Sequence, residues 1–325
     1  MPSAGSNGFG TLIPKQGFGG KSPRISRVSR ASGFTLVELL VVIVVIAILA
    51  AMLLPVLNKG KEKAWAATCM SNTRQLLIAD LVYAGDNNDQ LASNPVYRPG
   101  SALNAAVEPG INQAWQYCWL DWTYANPDNT NIARLFAGQL GSYAKNPGVY
   151  KCPADKSAVT GQKGIPRVRS YSMNGFVGYP RNGDNTTGHR FGKTTDFFNP
   201  GGIFVFIDEH PNSISTGNFW WVGLYGGVDP DDNGPFDVSG DSYNDDSATP
   251  EGGGLPASYH NSGSGLSFAD GHSETHRWTD AATLQPVKVP GLVPPAFAPT
   301  LLCLSPVFSP HDFLWLTTRS SYLGN

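Results

Sequence analysis

Residues 33–54 read GFTLVELLVVIVVIAILAAMLL. Every position from 39 to 54 is apolar, and residues 34–37 extend the run upstream across one charge, Glu38. Together they reach the length of about 20 residues that carries a helix across a bilayer. An ordinary secretory signal has its small-residue cleavage site after the apolar run. Here the candidate site, Ser32-Gly33, lies before it, so cutting there leaves the hydrophobic helix on the mature chain as an anchor.

The residues upstream fit that order. Residues 1–33 hold Lys15, Lys21, Arg24, Arg27 and Arg30 and no Asp or Glu. Gly, Ser and Pro dominate the rest, with no hydrophobic period, so the segment stands outside the fold. A basic stretch before an apolar run stays on the cytoplasmic side. Glu38 is the anomaly. A carboxylate in such a helix opposes insertion by about 2.5–3.5 kcal/mol. It either snorkels to the interface or pairs with an amine. Cleavage after Gly33 creates such an amine on Phe34, one turn away, in the same chain or a neighbour.

Downstream, Pro55 should kink the helix or loosen a turn. Ala66, Met70, Thr73, Leu77, Leu81 and Ala84 then recur every three or four residues, an amphipathic stripe. The run Gly85-Asp86-Asn87-Asn88-Asp89 is a stop signal. A helix over residues 34–84 is about 75 Å long. The predicted organisation is a leader at 1–33, a membrane half at 34–57, an amphipathic half at 58–84 and a head at 85–325. Gly (37) and Pro (25) with 15% charged residues favour an ordered, loop-rich head over a charged disordered chain. The net charge of −2 offers no basic field for nucleic acid.

The residues Gly33-Phe34-Thr35-Leu36-Val37-Glu38-Leu39-Leu40 resemble the cleavage and methylation motif of type IV prepilins and type II secretion pseudopilins. The resemblance implies that a membrane prepilin peptidase cuts between Gly33 and Phe34 and methylates the Phe34 amine. It implies that Glu38 neutralises the amine of an adjacent subunit during assembly. Its partners are then the peptidase, other pilin or pseudopilin subunits and the inner membrane, with the head periplasmic or in an extracellular fibre. His260 followed by nine residues and Asp270-Gly271 resembles the H-x(9)-D-G pattern of a bacterial prepilin-like subfamily. So do residues 150–155 (YKCPAD), 170–175 (SYSMNG) and 206–210 (FIDEH). The pattern names no biochemical role. A hydrogen bond between His260 and Asp270, holding two loops together, is the expected use.

The expected fold is α+β, a long N-terminal helix packed on an antiparallel sheet with long loops. Strands are predicted at residues 149–152, 203–207, 219–224 and 266–269, and Asp270-Gly271 predicts a type I′ hairpin turn. His272, Glu274 and His276 alternate, which suits either one metal-binding strand face or a solvated edge. Asp208-Glu209-His210 carries acid–base groups but no accompanying catalytic motif, and reads as a strand end. Trp115, Trp119, Trp122 and Tyr124 lack interleaved basic residues and read as packing.

Cys69, Cys118, Cys152 and Cys303 allow three full pairings. Cys69 with Cys152, tying helix to head, is the one favoured. Asp229-Pro230-Asp231-Asp232-Asn233-Gly234 opens like an EF-hand loop, but position twelve is Gly240 where a bidentate Glu belongs. Asp229, Asp231, Asn233, Asp237 and Asp241 can still gather around Ca²⁺, or form a solvated turn cluster. Resemblance to major pseudopilins, which carry a calcium site in a loop of the C-terminal sheet, adds to the first reading. No cofactor is required. The reading is a structural, non-enzymatic fibre subunit. The rivals are a membrane-tethered enzyme and a ligand-binding minor pilin. Glu38 weighs against the tethered enzyme, whose anchor gains nothing from a charge.

Overall fold

Leu36 opens α1, which runs to Asp86 and is helical through Pro55. The computed structural model describes residues 34–94, 114–161, 164–178, 190–215, 217–219, 254–287 and 310–321. Contacts divide the chain after Leu53 into two compact units. In the first, every described residue is exposed, including the whole apolar face from Val41 to Leu49. α1 is long and apolar enough to cross a membrane.

In the second unit, α1 becomes a packed helix. Cys69, Asn72, Thr73, Leu76, Leu77, Asp80 and Ala84 are buried at helical spacing, wider than the anticipated stripe by the row Cys69, Leu76 and Asp80. Each buried leucine stabilises the packing by roughly 1.5–3 kcal/mol. Three polar ties add to it. Asn72 Nδ2 donates to Gly148 O (3.2 Å) and Lys151 O (3.0 Å), and Asp80 Oδ1 accepts from Ala92 N at 2.7 Å. The helix stops where expected: Asn88 and Asp89 turn left-handed at φ 56° and 65°, and Asp89 N donates to Ala84 O.

The sheet has five strands: β1 Tyr171–Asn174, β2 Phe204–Asp208, β3 Asn218–Phe219, β4 Gly263–Phe268 and β5 Ser273–Arg277. Their order is β3-β1-β2-β4-β5. All pairs are antiparallel except β1 with β3, which is parallel, so the sheet is mixed. β2 is central and buried throughout, which is why it reads as a continuous apolar run. Tyr171 touches Cys69 of α1, whereas Asn174 Nδ2 donates to Ser320 O of a C-terminal helix, here α2, Pro310–Ser320. An odd separation along β1 puts those side chains on opposite faces, so the sheet lies between α1 and α2.

Two local expectations are corrected. Residues 149–152 are not a strand: Pro147–Tyr150 is a 3₁₀ turn, started by Pro147 and capped by Asn146 Oδ1 accepting from Gly148 N at 2.9 Å. The β4–β5 turn is not type I′, because only Gly271 has positive φ, 98°. Gly271 N donates to Phe268 O and Phe268 N to His272 O, a three-residue loop that ends in a left-handed glycine. The predicted strand at 219–224 is described only at Phe219. Gly33, Cys303 and the acidic loop of Asp229, Asp231, Asn233, Asp237 and Asp241 lie outside the described residues.

Candidate functional site

Four segments far apart in sequence meet beneath α1. Cys69 comes from the buried stripe of α1 and Cys152 from the residue pair after the 147–150 turn. Asp208 is the last residue of β2, and His260 sits in the turn before β4, where its N donates to Gly263 O at 3.1 Å. Their ligand atoms all lie within 4.8 Å of one another, and all four residues are buried. Cys69 Sγ donates to Asp208 Oδ2 (3.4 Å), Cys152 Sγ contacts His260 Nε2 (3.3 Å), and that nitrogen lies 3.6 Å from Asp208 Oδ2. Tyr171 OH donates to Cys69 Sγ at 3.3 Å. Gly265 of β4 makes room, since a Cβ there would lie 2.7 Å from the Cys69 sulfur.

Burial pushes the Cys69 and Cys152 thiols up. It also disfavours the His260 imidazolium, but the bonds to Asp208 and Cys152 outweigh that and lift it to about 9. Burial pushes the Asp208 carboxyl up as well, opposed by its bond to His260.

The neighbouring motif residues buttress it. Asp155 accepts from Ser170 Oγ (2.7 Å), Ser157 N (2.8 Å) and Lys151 Nζ (3.3 Å). The segments 150–155, 170–175 and 206–210 and His260 thus converge on one place. Asp270 does not: it is exposed on the hairpin and holds His272 Nδ1 at 2.6 Å. The expected His260–Asp270 hydrogen bond is absent, because His260 turns into the core toward Asp208. Nor is there a Cys69–Cys152 disulfide; both are thiols, though in the neighbourhood expected for them.

The other candidates separate. His272 stacks on Phe268 at 4.3 Å, His276 stacks on Trp315 at 3.7 Å, and Glu274 is exposed, so no shared metal site forms there. Burial drops His276 to about 4. Asp208, Glu209 and His210 are all buried. Burial lifts Glu209 to about 7 and lowers His210 to about 4, with His210 Nε2 donating to Gln285 O at 3.1 Å. Trp115 is a core residue stacked on Tyr150, and Trp122 lies under Arg167 at 4.4 Å.

At the other end of α1, Thr35 and Glu38 cap the helix reciprocally. Glu38 Oε2 accepts from Thr35 N (2.9 Å) and Thr35 Oγ1 (2.7 Å), and Glu38 N donates to Thr35 Oγ1 at 3.2 Å. This is a capping box, and Thr-x-x-Glu before an apolar run is its signature. That signal stands in the sequence and was missed beside the charge argument. Residues 28–54 match the family model of the prokaryotic N-terminal methylation motif. The motif marks a type IV pilin-like or pseudopilin-class protein. Among the described residues of this pilin-like chain, one apolar N-terminal helix is suited to a single-pass inner-membrane anchor. Its motif implies processing by a prepilin peptidase and assembly with other pilin subunits. No curated protein and no solved structure matches the chain.

Proposed function

We propose that this pilin-like chain is a structural subunit of a type II secretion or type IV pilus-like fibre. The peptidase cuts between Gly33 and Phe34 and methylates the new amine. The head stands on the periplasmic side or in an extracellular fibre. Glu38 pairs with the Phe34 amine of a neighbouring subunit. The observation that carries this reading is an apolar helix with a single carboxylate one turn from the cut, matched by the methylation motif. Burial of Asp208, Glu209 and His210 supports a structural rather than catalytic head.

The test is the N-terminus of the mature membrane protein. Edman or mass-spectrometric sequencing should begin at Phe34, N-methylated. A mature start beyond Leu54 would mean an ordinary signal peptide and end the proposal.

A further inference from the structure

We infer that Cys69, Cys152, Asp208 and His260 form a closed, four-ligand Zn²⁺ site that pins the head-side half of α1 to the sheet. The donor set is two thiols, one imidazole and one carboxylate, a combination that tetrahedral zinc accepts. With Zn–S near 2.3 Å and Zn–N or Zn–O near 2.0–2.2 Å, the edges of a regular tetrahedron are about 3.4–3.8 Å. Three of the six edges are 3.3 Å between Cys152 Sγ and His260 Nε2, 3.4 Å between Cys69 Sγ and Asp208 Oδ2, and 3.6 Å between His260 Nε2 and Asp208 Oδ2. These three edges match a tetrahedral cation, and the other three lie within 4.8 Å, close enough for a small adjustment to close the site.

Hydrogen bonding alone gives a poor account of the gathering. Sulfur is a weak donor and a weak acceptor, so two thiols satisfy a buried carboxylate badly. Asp208 Oδ1 is buried without any hydrogen-bond partner. A divalent cation shared among the four replaces these weak contacts by ligand bonds, displacing the protons of both thiols and of His260 Nε2. Tyr171 OH, donating to Cys69 Sγ, is placed to stabilise such a thiolate. Gly265 lets the sulfur approach the sheet this closely. All four positions are protein ligands, as in structural rather than catalytic zinc sites.

A disulfide between Cys69 and Cys152 is the competing use of the same sulfurs, so the test reads thiol state and metal together. The full chain is purified in detergent with reductant and no chelator, then equilibrated with ZnCl₂ and desalted. Zinc by atomic emission should be close to one equivalent per chain. Cys152→Ser and His260→Ala should each lose most of it. Cys118→Ser, a buried cysteine outside the cluster, should keep it. Should the cluster variants fail to fold, Co²⁺ loaded into the unmutated chain decides instead. Intense tetrahedral d–d bands with a thiolate charge-transfer band are expected. Absence of stoichiometric zinc in the reduced chain would overturn the site, whether or not the chain was isolated as a disulfide. So would zinc that Cys152→Ser and His260→Ala retain, or an octahedral cobalt spectrum without thiolate transfer.

Discussion

Asp80 shows how one buried residue sets a pH response. It lies inside α1's packed face, with Oδ1 accepting from Ala92 N and Oδ2 unpaired. Burial lifts its carboxyl to about 7 from an ordinary 3.8. Between those values the folded state holds more protons than the unfolded one, so Asp80's contribution to stability falls as pH rises. Glu209 acts in the same sense, while His210 and His276, depressed to about 4, act in the opposite one. A difference measurement cancels the other three. Asp80→Asn keeps the acceptor for Ala92 and cannot ionise. Relative to the unmutated chain it should gain roughly 2–3 kcal/mol between pH 5 and pH 8. Urea unfolding of both chains at the two pH values measures this. An equal difference at both would show that Asp80 is ionised at no greater cost in the fold than out of it.

At the scale of elements, α1 and β4 meet through the smallest possible contact, the Cys69 sulfur over Gly265. A methyl at 265 would sit 2.7 Å from that sulfur, so helix or strand must shift. Gly265→Ala should destabilise the head by about 1–3 kcal/mol, the usual cost of overpacking. Cys69→Ala in the same chain removes the sulfur, so the two changes together should cost less than their sum. A double-mutant cycle by denaturant unfolding tests the contact. Strict additivity would mean that β4 yields at no cost. The C-terminal helix α2 is held differently, by charge-assisted caps: Asp280 Oδ2 accepts from His311 N (2.9 Å) and Asp312 N (2.8 Å), and Asp312 in turn accepts from Thr279 N and Asp280 N.

At the scale of the whole molecule, Glu38 has two separable jobs. It caps α1 through Thr35, and in the proposed fibre it neutralises a neighbour's amine. Glu38→Ala removes both, while relieving an insertion cost of about 2.5–3.5 kcal/mol. Membrane insertion should therefore persist or improve, and incorporation into fibres should fail. Glu38→Gln separates the jobs, because Gln completes a capping box as Glu does but carries no charge. It too should fail to assemble, as read by subunit crosslinking in membranes that lack the unmutated chain. Normal crosslinking by Glu38→Gln would leave Glu38 only its cap.

The sequence alone determined whatever depends on near neighbours. The apolar run, the charge at Glu38, the stripe from Ala66 to Ala84 and the stop after Gly85 are statements about residues a few positions apart, where periodicity and chain stiffness decide the outcome. β2 and β4 were legible for the same reason, as short apolar or alternating runs bounded by turn residues. Residues 149–152 misled because a Pro-initiated turn outweighs a short β-like run, and Asp270-Gly271 because loop length, set by the pairing of Ser267 with Ser273, chooses the turn. The meeting of Cys69, Cys152, Asp208 and His260 was written nowhere locally. The motifs around 152, 208 and 260 could be seen in the sequence, but not that they share one point, or that His260 would leave Asp270 for Asp208. Those facts follow from strand order and from α1 crossing the sheet at Gly265, long-range contacts whose closure only the packed fold decides.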